Sequence, residues 1–199
     1  MNFFQGINAA ATFLILSAIV AGLARRLFDL QESPTSYLLD HLEIVYLELF
    51  IILLRIKTSL DDHKHFAEMQ RDQNVFRYVG FVLAILSWVF WALAGYLVPF
   101  TVRASELLAI GILISTSWVV VHLIEILVDR ERRKNEADTS LIRQKWVLFN
   151  IGYMLCLVGY VGWYRPVIKE GTSALLLVLL AVLLVDMIAS RSFRGVTAA

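Results

Sequence analysis

The residues of this chain that could do chemistry are ionisable side chains set into long apolar runs. Tyr37, His41, Glu48 and Arg55 recur at intervals of four and seven, which on a helix puts them within about 40° of one another. Further along, Ser115, Thr116, His122 and Glu125 interrupt a second apolar stretch, with His122 and Glu125 three residues apart. Burial drives an isolated carboxyl toward its neutral form, whereas a nearby cation drives it toward the charged form. A group held between those pulls can take up and release a proton. The two lines of residues therefore predict a polar seam between the second and fourth apolar segments, for a proton, a small ion or a small solute. Glu48 is expected near the middle of its helix and is the residue on which such a seam most depends. Arg55 and Glu125 fall at similar expected depth and are predicted to pair, with His122 beside them.

Other chemistries lack their parts. His41-x-Glu43 and His122-x-x-Glu125 contain metal-ligand types, but neither fills a tetrahedral site. In expected depth the two lie about 20 Å apart. No metal, cofactor or catalytic residue is assigned. The chain holds no His-Glu-x-x-His motif, no Gly-x-Ser-x-Gly elbow and no phosphate loop. Its five lysines read as loop or helix-end residues, leaving no candidate for an intramembrane Schiff base. Cys156 is the only cysteine, which excludes a disulfide within the chain, and it reads as a small buried packing residue.

The elements that position these residues are apolar helices. Hydrophobic residues make up 59% of the chain and charged residues 18%, against roughly 45–50% and 25% in soluble domains. Six segments approach the roughly 20 residues that cross a bilayer, namely 7–24, 37–56, 78–98, 104–128, 146–163 and 173–189. Pro34, Pro99 and Pro166 divide them into three hairpins. The expected fold is all-α: one polytopic membrane bundle of six helices occupying 1–199. The first segment has no Lys or Arg before it and no good cleavage site after it, and reads as a retained helix. The second is the least apolar, with Asp40, His41, Glu43 and Glu48. Lying on the membrane surface it would leave five spans, but its narrow polar stripe favours a crossing helix over a surface-lying one. Gly and Pro are missing between Pro34 and Gly80 and between Gly111 and Gly152. Helices should therefore protrude there, with turns at Asp61-Asp62 and Asn135-Glu136.

Small residues at Ala18-x-x-x-Gly22, Gly111-x-x-x-Ser115 and Gly152-x-x-x-Cys156 predict close helix contacts. Thirteen Lys and Arg fall on the side that holds both termini, against five on the other, which places the termini in the cytoplasm. The expected location is a bacterial inner membrane. Acidic residues interleave with the basic ones, so nucleic acid is not an expected partner. The expected partners are the lipid bilayer, a small ion or proton, and either further copies of the chain or another membrane subunit. Length, six spans, inner termini and the histidines beside Phe66 resemble the architecture of small six-helix potassium channels of lysosomes and bacteria. Their Phe-Ser-Asp motif is missing from the first segment, FFQGINAAATF, and no residue role is carried over. A channel or transporter is the leading functional reading. A non-catalytic membrane subunit or scaffold that binds a partner protein is the alternative, and an intramembrane enzyme the third.

Overall fold

A computed structural model describes residues 3–31, 33–69, 75–101, 103–132, 137–164 and 172–189. Every regular element among them is helical: α1 (Phe3–Leu30), α2 (Pro34–Asp40), α3 (Leu42–Met69), α4 (Val75–Leu97), α5 (Ala104–Arg132), α6 (Ala137–Gly159) and α7 (Thr172–Ala189). A π turn, Tyr160–Tyr164, continues α6. Four stretches are long and apolar enough to cross a membrane: Phe3–Leu30, Val75–Leu97, Ala104–Val128 and Val147–Tyr164. Helices satisfy their own backbone groups, which makes such stretches stable in hydrocarbon, and the chain is a helical membrane protein. α3 is not among the four because of its charges, and the apolar part of α7, Ser173–Ile188, is shorter than they are.

The long helices pack side by side in the order α7, α3, α1, α4, α5, α6. The Tyr153 hydroxyl donates to the Leu179 carbonyl at 2.8 Å and joins α6 back to α7. Contacts along the bundle fix its directions. Phe4 packs edge-on against Phe81, and Gly22 lies against the backbone of Tyr96, so α1 and α4 run parallel. Gln5 and Asn8 on α1 donate to the His63 and Ser59 carbonyls at 3.3 and 2.9 Å, and Thr12 accepts from Arg55, so α3 runs the opposite way. The end of the bundle where α1 begins is termed proximal, and the other end distal. Ile15, Ile19, Leu47, Phe50, Ile51, Leu108 and Ile112 are fully buried between the helices, while Phe13, Val82, Leu113 and Val178 face outward. An apolar exterior of this kind is what a lipid solvent requires.

Two glycines permit the closest approaches. A Cβ on Gly22 would overlap the Tyr96 backbone, and one on Gly80 would overlap the Trp118 ring. Gly152 is different. A Cβ there would meet nothing within 4 Å, and Cys156 is exposed. The small residues of α6 therefore face outward, correcting both the expected helix contact and the expected burial of the thiol.

The second apolar segment is not one helix. Ser33 caps α2 by accepting from the Ser36 N–H at 3.2 Å. Pro34 follows at the first helical position, where no N–H is needed. His41 then leaves helical geometry at φ −126° and ψ 35°, and α3 starts at Leu42. Beyond, α3 runs through Asp61 and Asp62 to Met69, so the turn expected at those aspartates is not there. Lys57 and Asp61, at i and i+4 and 2.9 Å apart, support continued helix instead. The turn expected at Asn135-Glu136 lies outside the described residues.

A charged interior around α3

Residues two apart on a helix point about 160° from each other, so Arg55 and Lys57 serve opposite neighbours. Both are buried, at 2% and 4% exposure. On one side, Arg55 Nη2 donates to Asn8 Oδ1 at 2.7 Å and to Thr12 Oγ1 at 2.8 Å, both on α1. Its Nη1 lies 3.8 Å from Asp62 Oδ2, and its guanidinium sits 5.1 Å from the centre of the Trp88 ring on α4. Asp62 also accepts from Trp118 Nε1 on α5 at 3.3 Å.

On the other side, three oxygens converge on Lys57 Nζ. Asp61 Oδ2 is 2.9 Å away, Asp186 Oδ2 on α7 2.8 Å, and Asn150 Oδ1 on α6 3.0 Å. α3 thus reaches all five other long helices through polar side chains. Charged groups inside a membrane are stable only when turned inward and paired. Here the helix with the most charge has the most partners.

A separate cluster ties α4 to α5. Arg77 Nε is paired with Glu125 Oε1, and His122 Nδ1 lies 3.0 Å from Glu125 Oε2. The closeness of His122 and Glu125 follows from their i,i+3 spacing. Arg55 and Glu125, however, do not pair: Arg55 is held by α1 and Asp62, and Glu125 by Arg77. Similar depth says nothing about which helix stands between two groups, and α4 supplies the nearer cation.

The remaining expected residues fall in two places. Tyr37 is buried and stacks on His41, with ring centres 4.5 Å apart. The His41 Nδ1 is buried without a hydrogen-bond partner among the described residues. Glu48 is 2% exposed, and neither of its buried oxygens has a hydrogen-bond partner among the described residues. The level shared by Asn8 and Ser59 also fixes its depth. Glu48 lies eleven residues further along α3, about 16 Å toward the distal end. From Asn8 to Ala24, the end of the expected span, α1 runs about 24 Å. Glu48 therefore lies within the span, somewhat distal of its midpoint. On α5, the Thr116 hydroxyl donates to its own helix at the Ile112 carbonyl, 2.9 Å away, and Ser115 is buried. The polar face of α3 meets α1, α6 and α7, and touches α5 through Asp62 and Trp118, rather than forming a two-helix seam with α5.

Several partners were not anticipated from sequence: Asn8, Thr12, Lys57, Asp62, Arg77, Asn150 and Asp186. Lys57 is inside the bundle, not in a loop. A signal existed for Asp186, the only charged residue between Ser173 and Ala189. A lone acid in so apolar a run needs a buried cation. Among the described residues, no three His, Cys, Asp or Glu side chains come together as a metal site. No protein-family model, no curated protein and no solved structure matches the chain.

Proposed function

We propose that the chain is a six-span transporter or channel of a bacterial inner membrane that carries protons, alone or with a small solute, along the buried face of α3. In this reading the proximal end faces the cytoplasm. α3 and α7 complete the six crossings, because their charges turn inward and meet partners there. Arg55, Lys57 and Arg77 then drop out of the charge count as interior groups. The remaining loop charges still favour the proximal side.

The observation that carries the proposal is Glu48. Arg55, Lys57, Arg77, Glu125 and Asp186 are the other buried charged residues among those described, and each has an ion-pair partner. Glu48 has none. An uncompensated carboxylate in that place is costly, so the group rests as the neutral acid and ionises when a cation reaches it. That is the behaviour of a group that loads and unloads a proton.

The test is flux. Purified protein in liposomes carrying a pH-sensitive dye should dissipate an imposed pH gradient. Glu48→Gln keeps size and polarity but cannot ionise, so it should lower the rate by about tenfold or more while unfolding at the wild-type temperature. Wild-type liposomes no leakier to protons than empty ones would sink the proposal.

A further inference from the structure

Glu48, Arg55 and Asp62 stand seven residues apart on α3. Each is turned about 20° from the next and displaced about 10 Å along the axis. An acid, a base and an acid therefore share one face of the helix. Arg55 reaches down to Asp62, against the tilt toward the helix amino terminus that Cα–Cβ bonds carry. The same seven residues separate it from Glu48, whose side chain is one methylene longer than that of Asp62. Toward Glu48 the tilt favours the arginine and opposes the carboxyl, the reverse of the Asp62 pair, and the extra methylene of Glu48 makes the two reaches comparable. The hold on Asp62 is loose, since 3.8 Å is longer than a hydrogen bond. Arg55 Nε and both Glu48 oxygens are buried with no hydrogen-bond partner among the described residues.

We propose that Arg55 has two stations on α3, Asp62 and Glu48, and that its movement between them exchanges the protonation of the two carboxyls. The proposal rests on the reading of Glu48 as a titrating group. One guanidinium neutralises one carboxylate, and in a poorly hydrated interior the other acid must carry a proton. At the observed station Asp62 is the carboxylate and Glu48 the acid. When Arg55 crosses, the Glu48 O–H bond breaks and its proton leaves toward the distal side. Asp62 gains an O–H bond with a proton taken from the proximal side. The trio has zero net charge before and after, so the exchange leaves no extra charge buried. The Trp88 ring, 5.1 Å from the guanidinium, offers it a cation-binding face in transit.

On the proximal side the surrounding charged groups are engaged elsewhere. α1 presents the neutral Asn8 and Thr12 to Arg55, and Gln5 is bonded to His63. On α4 and α5, Arg77 and His122 are both held by Glu125, and Trp118 donates to Asp62. Lys57 is engaged by Asp61, by Asp186 of α7 and by Asn150 of α6. Toward the distal end His41 stacks on Tyr37, and Arg26 of α1, whose Nε is buried with no hydrogen-bond partner among the described residues, lies against the Phe100 ring.

Asp62→Asn removes the proximal station and tests the proposal in detergent. Dicyclohexylcarbodiimide modifies protonated carboxyls in apolar surroundings. Wild-type protein should be labelled at Glu48, located by peptide mass. Asp62→Asn should lose about tenfold of that labelling as Arg55 moves onto Glu48, and adding Arg55→Gln should restore it. Unchanged Glu48 labelling in Asp62→Asn, or none in wild type, overturns the two stations. If Asp62→Asn does not fold, infrared titration of wild type decides. The acid C=O band assigned through Glu48→Gln should first fall as the pH is lowered, because protonating Asp62 releases Arg55 to Glu48. A band that only grows on acidification overturns the proposal. Neither readout needs flux. Proton-tight liposomes with intact labelling shifts would remove the transport reading alone, and flux without those shifts would remove the stations alone.

Discussion

On the proximal half of α3, Lys57 meets Asp61, Asp186 and Asn150 at 2.8 to 3.0 Å, and Arg55 meets Asn8, Thr12 and Asp62. On the distal half of the same helix Glu48 is just as buried and meets no hydrogen-bond partner among the described residues. Burial of charge is therefore not one phenomenon in this molecule. Where partners come from several helices, charge joins those helices together. Where none comes, the group is left in a state that protonation alone can make tolerable. The first region should matter for assembly and the second for chemistry.

Three substitutions test that contrast. The largest effect is expected from Lys57→Met, which leaves Asp61 and Asp186 facing each other in a buried site. Removing one partner of a buried pair costs about 3–5 kcal/mol, read by denaturant unfolding in detergent. Adding Asp186→Leu should recover part of it by removing a stranded charge. A Lys57→Met protein as stable as wild type would mean that the proximal cluster does not hold the bundle. A middle effect is expected from Asn8→Ala. It strands a buried guanidinium donor, at about 1–3 kcal/mol. The smallest belongs to Glu48→Met, where an apolar group replaces an unpartnered polar one. Its stability should stay within about 1 kcal/mol of wild type or rise. A Glu48→Met variant as unstable as Lys57→Met would erase the difference between the halves.

The helices were legible because apolar run length is a one-dimensional property, and the four spans follow the runs closely. Burial of Glu48 and Arg55 was legible from their place on a narrow polar stripe. The partners were not. Periodicity gives the direction of a side chain around its own helix, but the neighbour it meets depends on packing order, and α4 intervenes to give Glu125 the cation Arg77. Lys57 was misread because a lysine beside an apolar run resembles an interfacial anchor unless its partner is known, and Asn150 lies 93 residues away. The break at His41 also escaped notice, since no proline or glycine marks it. Pro34 and Ser33 instead specify a helix start seven residues earlier.

The pairing of Lys57 with α6 and α7 also has a consequence for biosynthesis. At about 5–20 residues per second, the 93 residues to Asn150 take roughly 5 to 20 seconds to translate, and Asp186 comes later still. Throughout that interval α3 exists with its charges half compensated, and it is the helix least able to partition into lipid by itself. In the proposed six-span arrangement the nascent chain must keep α3 at the insertion machinery, or against α1 through Asn8 and Thr12, until α7 emerges. In that arrangement α7 is thus the helix that completes the charge compensation of α3.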